Sequence, residues 1–83
     1  MIGKEPDTLG MLDILTKNHV AYNITNLVIK GLDANGQVEY RPEHHCVIRF
    51  AGRDLYCFIG DSFERVVRDA FVKAVECGLV LHY

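Results

Sequence analysis

The C-terminal half of this chain most constrains its fold, because it predicts a tight β-hairpin that leads directly into a capped amphipathic helix. Residues 44–50 and 55–60 are two strand-like runs, and the segment 51–54 between them is a turn signal. Asp61 is the predicted N-cap of the helix, and Glu64, three residues later, completes a capping-box pattern. We therefore expect a strand, a turn, a strand and a helix in immediate succession.

The predicted helix carries an apolar stripe with helical spacing. Its members are Phe63, Val66, Val67, Ala70, Phe71 and Ala74. The opposite side has oppositely charged residues four positions apart, such as Glu64 and Arg68. Gly78 is the predicted end of the helix. The pattern indicates one buried helix face, with Phe71 at its centre.

A register for the hairpin follows if Gly52 and Arg53 are the central residues of a type II′ turn. Three cross-strand pairs then form the expected core face: Phe50–Leu55, Ile48–Cys57 and Cys46–Ile59. Because strand side chains alternate between two faces, the expected outer face carries Val47, Arg49, Tyr56 and Phe58. A slip by one residue would turn Asp54 towards the core, which favours this register.

The N-terminal part of the chain predicts a helix and a strand. Asp7 or Thr8 is the predicted N-cap of a helix that contains Leu15. Asn18 suits the left-handed conformation of a helix C-cap. Residues 21–32 are rich in β-branched side chains, which predicts a strand.

A first hairpin is expected between this strand and the next. Asn35 and Gly36 are typical of the two central residues of a type I′ turn. The second strand is then expected over residues 37–50. Because Pro42 cannot donate to a strand ladder, we expect a bulge or one-sided pairing there.

The predicted fold class is α+β, with the element order α-β-β-β-α. A three-stranded antiparallel sheet with both helices packed on one face is the simplest layered arrangement of these elements. The 83 residues form a single small domain. Residues 1–6 are expected to be a flexible tail, and residues 79–83 either add a short C-terminal strand or remain a tail.

Composition and charge exclude several classes of protein. Nine Lys and Arg are mixed with eleven Asp and Glu, so no electrostatic field attracts a polyanion. Three cysteines without CxxC spacing do not form a disulfide framework. The N-terminus lacks the apolar region of a signal peptide, and no apolar run approaches the ~18 residues of a membrane span. We expect a cytoplasmic protein that does not associate with membranes.

The histidines and cysteines do not have the spacing of a metal or catalytic site. His44 and Cys46 share a strand face whereas His45 points away from it, and no CxxC or HxxxH pair supplies a chelate. Cys77 is expected at a helix C-terminus, where the helix dipole raises a thiol pKa and weakens the nucleophile. We therefore expect no metal, no cofactor and no enzymatic activity.

The order α-β-β-β-α is similar to that of double-stranded RNA-binding domains, over most of the chain. That family contacts the RNA backbone through a Lys-Lys-x-Ala-Lys cluster that opens its second helix, and through a Gly-Pro-x-His-type loop between its first two strands. Here the second helix opens with Asp-Ser-Phe-Glu-Arg at 61–65, and the loop at 33–37 is Asp-Ala-Asn-Gly-Gln. Because phosphate contacts dominate that mode of binding, the resemblance implies the fold without the RNA activity.

We expect a small non-catalytic protein-binding module that acts as an adaptor, regulator or inhibitor. Its expected partner-binding residues are Val47, Arg49, Tyr56 and Phe58 with Arg53 from the turn, because aromatic residues and arginine are enriched at interfaces. The partner is a second copy or a larger complex, and small inhibitors of phages or mobile elements fit this description. The alternative is a nucleic-acid-binding domain whose aromatics stack on bases. Another interpretation is that the N-terminal helix or the tail covers this face.

Overall fold

The computed structural model describes residues 6–82 of the chain. Its elements are α1 (Thr8–Lys17), β1 (Ala21–Leu32), β2 (Val38–Phe50), β3 (Arg53–Gly60) and α2 (Phe63–Glu76). This order confirms the predicted α+β class. The predicted flexible tail, residues 1–6, lies outside the described residues except for Pro6.

The three strands form one antiparallel sheet in the order β1-β2-β3. Its buried residues Cys46 and Ile48 and its half-buried residues Ile24, Phe50 and Phe58 share one face, which we call the helix face. α2 packs against β2 and β3, and α1 packs against α2 and β1. The buried apolar core consists of Met11, Leu12, Ile14, Leu15, Val20, Cys46, Ile48, Val66, Val67, Ala70, Phe71, Ala74 and Val80. We call the opposite side of the sheet the open face.

The first hairpin turn differs from the predicted type I′ turn. Of its residues, only Gly36 has a positive φ (78°), and its N–H donates to the carbonyl of Asp33 at 3.0 Å. The Asp33 carboxylate also accepts bonds from the N–H groups of Asn35 and Gln37, at 2.8 and 2.9 Å. This Asp-based turn, with a left-handed glycine closing a three-residue loop, replaces the two-residue turn.

The second hairpin adopts the type I′ turn, one residue earlier than the predicted type II′ turn. Ala51 and Gly52 both have positive φ values (54° and 79°), and Phe50 pairs with Arg53. The ladder is irregular at Ile48/Arg49, where β3 contains one residue more than β2. The predicted pairing of Ile48 with Cys57 is therefore wrong.

Pro42 does not interrupt β2 and forms no bulge, but it has the one-sided pairing that was the other expectation there, because β3 ends before it. It pairs with Val28 in a regular ladder. The backbone N–H of Asp33 donates to the carbonyl of Gln37, so these two residues are a hydrogen-bonded pair. Hydrogen-bonded and non-hydrogen-bonded pairs alternate along an antiparallel ladder, which makes Pro42 and Val28 a pair without hydrogen bonds. Its nitrogen faces away from β1, and β3 ends before this point, opposite His44. The missing donor therefore costs no ladder bond.

The helix ends agree with the sequence patterns in part. Asp7 caps α1 as expected, since its carboxylate accepts from the N–H of Gly10 at 2.7 Å. Ser62, not Asp61, caps α2 by accepting from the N–H of Arg65 at 3.1 Å. The predicted cap is therefore wrong by one residue, and the predicted capping box does not form, because Arg65 is the third residue after Ser62.

Asn18 attaches the C-terminal tail to the end of α1. It does not adopt the expected left-handed conformation, which His19 takes instead (φ 62°). Its buried amide accepts from the N–H groups of Leu81 and His82, at 2.8 and 2.9 Å, and donates to the carbonyls of Ile14 and His82, at 2.8 and 2.6 Å. Residues 79–82 form no strand; they are a tail that is held by the hydrogen bonds with Asn18. Tyr83 lies outside the described residues.

The strands differ in length, and this divides the described molecule into two regions. β3 pairs with β2 only over 44–50. Residues 27–43, which we call the arm, form a two-stranded ribbon that continues past the end of β3. The remaining elements form the base. No residue of the arm belongs to the buried core of the described chain.

Candidate functional site

The five residues expected to bind a partner do not share one face. Val47 and Arg49 lie on the open face, as predicted. Tyr56 pairs with buried Ile48 and Phe58 with buried Cys46, so both aromatic side chains lie on the helix face. Arg53 is exposed beside the turn; it pairs with Phe50 and so also lies on the helix face. The predicted outer face is therefore wrong for Tyr56, Phe58 and Arg53, and the binding roles of all five stay predictions.

Two features of β3 explain the different register. The bulge supplies an extra residue at Leu55, which keeps Asp54 on the open face, where its carboxylate lies 3.1 Å from Nε of Arg49. Gly60 lies on the helix face, where a Cβ would come within 3.0 Å of Cγ1 of Val66. The predicted register would instead turn Ile59 towards the side of the sheet that α2 approaches. A glycine at the end of a strand, directly before a packed helix, is the signal that sequence reasoning missed.

Tyr56 contacts the C-terminal end of α2. The thiol of Cys77 donates to the hydroxyl of Tyr56 at 3.6 Å, and Nζ of Lys73 lies 5.0 Å from the centre of its ring. The ring of Phe58 lies 6.2 Å from that of Tyr56. The hydrogen bond with Cys77 raises the pKa of Tyr56. These contacts attach β3 to α2, so the aromatic pair serves the packing of the base.

The cysteines lie in different environments. Cys46 is fully buried, and desolvation, with a smaller effect of Cys57, raises the pKa of its thiol to about 11. Such a thiol is a weak nucleophile at neutral pH. Cys57 is exposed on the open face opposite Val47, so it is not the core residue that was predicted. Within residues 6–82, no three His, Cys, Asp or Glu side chains are grouped as metal ligands.

Polar pairs cover much of the open face. His45 Nε2 lies 2.6 Å from a carboxylate oxygen of Glu43, and Nε of Arg41 lies 3.4 Å from the carboxylate of Glu39. Arg49 is likewise paired with Asp54. Each arginine on this face therefore has an acidic neighbour that reduces its attraction for phosphate. Across residues 6–82, neither helix has the length and apolar character needed to cross a bilayer.

An apolar surface that the packing of the core does not explain lies on the arm. Four side chains on its helix face are more than half exposed: Val28 (70%), Leu32 (69%), Val38 (54%) and Tyr40 (65%). We call these four residues the arm face. Leu32 pairs with Val38, and Tyr40 pairs with Lys30, which is the only charged residue on this side of the arm's strands. Sequence reasoning assigned these residues to strands but did not recognise that β3 and α2 end before reaching them.

The arm also explains the extended shape of the described chain. Its radius of gyration is 15.2 Å and its dimensions are 49 × 32 × 17 Å. A compact chain of this length has a radius of gyration of about 12 Å. Contiguous apolar surface of this kind is uncommon on monomers unless it binds something. The arm face is therefore the best candidate for a functional site.

No protein-family model, curated protein or solved structure matches the chain. The α-β-β-β-α order of a double-stranded RNA-binding domain is present, with two helices on one sheet face. The second helix opens with Ser62-Phe63-Glu64-Arg65 and so lacks the family's lysine cluster. The candidate site therefore has to be interpreted from its own geometry.

Proposed function

We propose that this chain is a small non-catalytic protein-binding module that acts as an adaptor, regulator or inhibitor by docking the arm face on a larger protein. The observation that carries this proposal is the exposure of Val28, Leu32, Val38 and Tyr40 on a ribbon that lies beyond the helices. A projecting ribbon with an apolar face can enter a groove that a flat sheet cannot reach. Occlusion of such a groove requires no chemistry from the chain, and a cytoplasmic setting suits its free cysteines.

The chemistry of the arm face favours a protein partner. Apolar side chains form the buried core of protein interfaces, and tyrosine is a usual anchor there that can contribute roughly 2 kcal/mol or more. The nucleic-acid alternative needs aromatic and basic side chains on one surface. The residues expected to provide it are divided between the two faces, with Arg49 beside Asp54 and Tyr56 beside Lys73. Of the two arginines expected to contribute, only Arg53 lies on the face of Tyr56 and Phe58, which weakens this alternative.

The experiment compares two double variants of the chain in affinity capture from lysate of the source cells, with and without nuclease treatment. The test variant combines Leu32→Gln with Tyr40→Gln on the arm. The control combines Leu9→Gln with Leu81→Gln, which are similarly exposed but belong to the base. Quantitative mass spectrometry measures the proteins retained by wild-type chain and by each variant.

We expect the wild-type chain and the control to retain the same proteins, and the arm variant to retain at least ~10-fold less, as the loss of two interface anchors implies. Circular dichroism checks that the arm variant is folded. Equal retention by the arm variant would contradict the proposal. Retention that disappears with nuclease and falls steeply with salt would instead indicate binding to nucleic acid.

A further inference from the structure

The outer edge of β1 presents unpaired backbone groups along its length. β1 is the first strand of the sheet and has a neighbour on one side only. The backbone N–H of Asp33 donates to the carbonyl of Gln37, so this pair is a hydrogen-bonded pair of the ladder. Because hydrogen-bonded and non-hydrogen-bonded pairs alternate, the even-numbered residues from Tyr22 to Leu32 direct their N–H and C=O groups away from β2. No hydrogen bond from another part of residues 6–82 reaches these groups.

The other two sheet edges carry features that oppose pairing with another strand. The free end of β2 contains Pro42 together with the charged residues Glu39 and Arg41. β3 begins with Arg53 and Asp54 and then contains the bulge. Charges, proline and bulges are the features that keep strand edges from associating.

β1 has none of these features except one charge. Its ladder with β2 is regular over all twelve residues, and it contains no proline. Lys30 is the only charged residue of the strand. Its nine residues before Lys30 are uncharged, in a chain of which 24% is charged. The edge is therefore suited to an uncharged strand as its partner.

We propose that β1 pairs antiparallel with β1 of a second copy of this chain, about a two-fold axis at Leu27. This inference goes beyond the proposed function, because it concerns the outer edge of β1 and not the arm face. An axis at Leu27 uses the strand most fully, because Tyr22 then faces Leu32 of the other copy. The paired length is about 35 Å, from the rise per residue of a strand.

The chemistry of the resulting pairs supports this register. Thr25 faces Ile29, and Asn26 faces Val28. Leu27 faces its own counterpart, in a pair without mutual hydrogen bonds, where side chains approach most closely. Lys30 faces Ile24 and never meets another lysine, so no like charges are opposed. The arrangement is isologous, as expected for a closed dimer.

The dimer would contain one six-stranded sheet. A two-fold axis perpendicular to the sheet keeps the helices of both copies on the same side. The two arms then point in opposite directions, and Val38 and Tyr40 of each arm face lie on β2, one strand away from the new contact. Two linked copies would bind a target that offers two grooves more tightly than a single copy.

The test measures the mass of the full chain by sedimentation equilibrium over a range of concentrations. We expect the wild-type chain to reach twice its 9.4 kDa mass. Leu27→Lys places two ammonium groups opposite each other and should raise the dimer dissociation constant at least ~10-fold. Leu55→Lys is the matched control on the other edge, since both leucines are 39% exposed, and it should leave the dimer unchanged.

Two further measurements locate the axis. Leu27→Lys and Leu27→Glu chains, mixed in equal amounts, should form the dimer that neither forms alone. In chains that also carry Cys57→Ser and Cys77→Ser, Leu27→Cys should form an intermolecular disulfide under mild oxidation, whereas Leu55→Cys should not. The disulfide measurement introduces no charge into the strand, so it still tests the pairing of β1 if the lysine variant fails to fold.

The outcomes separate this inference from the proposed function. A chain that stays monomeric up to millimolar concentration, or a dimer that Leu27→Lys does not weaken, would overturn the pairing of β1. Capture of a target by the arm would then still stand. A dimer that responds as expected, together with equal capture by the arm variant, would overturn docking through the arm face and leave the pairing of β1 in place.

Discussion

The base and the arm are made from the same two strands but are held together in different ways. In the base, β1 and β2 lie beneath the helices, and Cys46 and Ile48 are completely buried. In the arm, the ladder continues without a third strand or a helix, and Val28 and Leu32 are mostly exposed. Apolar residues in the base are explained by the core, whereas those in the arm are not. This difference is what points to the arm as the binding region.

The largest expected effect is at the centre of the base. Phe71 is 5% exposed in the middle of the buried stripe of α2. Phe71→Ala should lower the free energy of unfolding by about 3–5 kcal/mol, the usual cost of such a cavity. A small domain has little more stability than this, so the variant is expected to be largely unfolded at 37 °C. Chemical denaturation, followed by circular dichroism, measures the change in the free energy of unfolding. A change below ~1 kcal/mol would show that packing around Phe71 is not what stabilises the fold.

A smaller effect is expected at Asn18, which connects α1 to the tail. Asn18→Ala leaves the N–H groups of Leu81 and His82 without their acceptor and should cost about 1–3 kcal/mol. Asn23→Ala, at an exposed position on the open face, is the control and should change stability by less than ~0.5 kcal/mol. Hydrogen exchange would locate the effect, because the two tail amides should exchange faster in the variant. Unchanged exchange at both amides would mean that Asn18 does not attach the tail.

Much of the base could be predicted from the sequence because local signals agree with tertiary packing there. The bounds of β1 at 21–32 and five of the six residues of the α2 stripe are as predicted, with Phe63 half-buried. The strand composition and the helical period each specify one buried face. Asp7 also caps its helix as expected. In these segments, no competing arrangement satisfies the same pattern.

The register of β3 could not be predicted because its odd-numbered and even-numbered side chains are almost equally apolar, so either set could face the core. Leu55, Cys57 and Ile59 compete with Tyr56 and Phe58 for the helix face, and a single bulge exchanges them. Propensity does not reveal a bulge, which depends on how closely α2 approaches the strand. The arm was not predicted, for a related reason. The sequence specifies that β1 and β2 are long, but only the structure shows where β3 and the helices end.

The third prediction compares glycines in the two regions. At Gly60 a Cβ would lie 3.0 Å from Val66, which is fully buried and cannot move freely. Gly60→Ala should therefore cost about 1–2 kcal/mol, as for other overpacked sites. At Gly31 in the arm, no atom lies within 4 Å of the added Cβ and φ is not positive, so Gly31→Ala should be neutral or slightly stabilising. Thermal unfolding of both variants measures the contrast, and equal losses would mean that the arm is packed as tightly as the base.

The smallest expected effect is on the arm face itself. Val28→Thr keeps the shape and the β-branched character of a side chain that is 70% exposed, so the free energy of unfolding should change by less than ~0.5 kcal/mol. Val67→Thr makes the same replacement at a fully buried position and should cost about 1–2 kcal/mol, because the hydroxyl enters an apolar core. Denaturation of both variants under identical conditions tests the comparison. A loss at Val28 equal to that at Val67 would mean that other residues of the chain cover the arm face in solution. A neutral result would instead agree with an arm face that packs against nothing else in the chain.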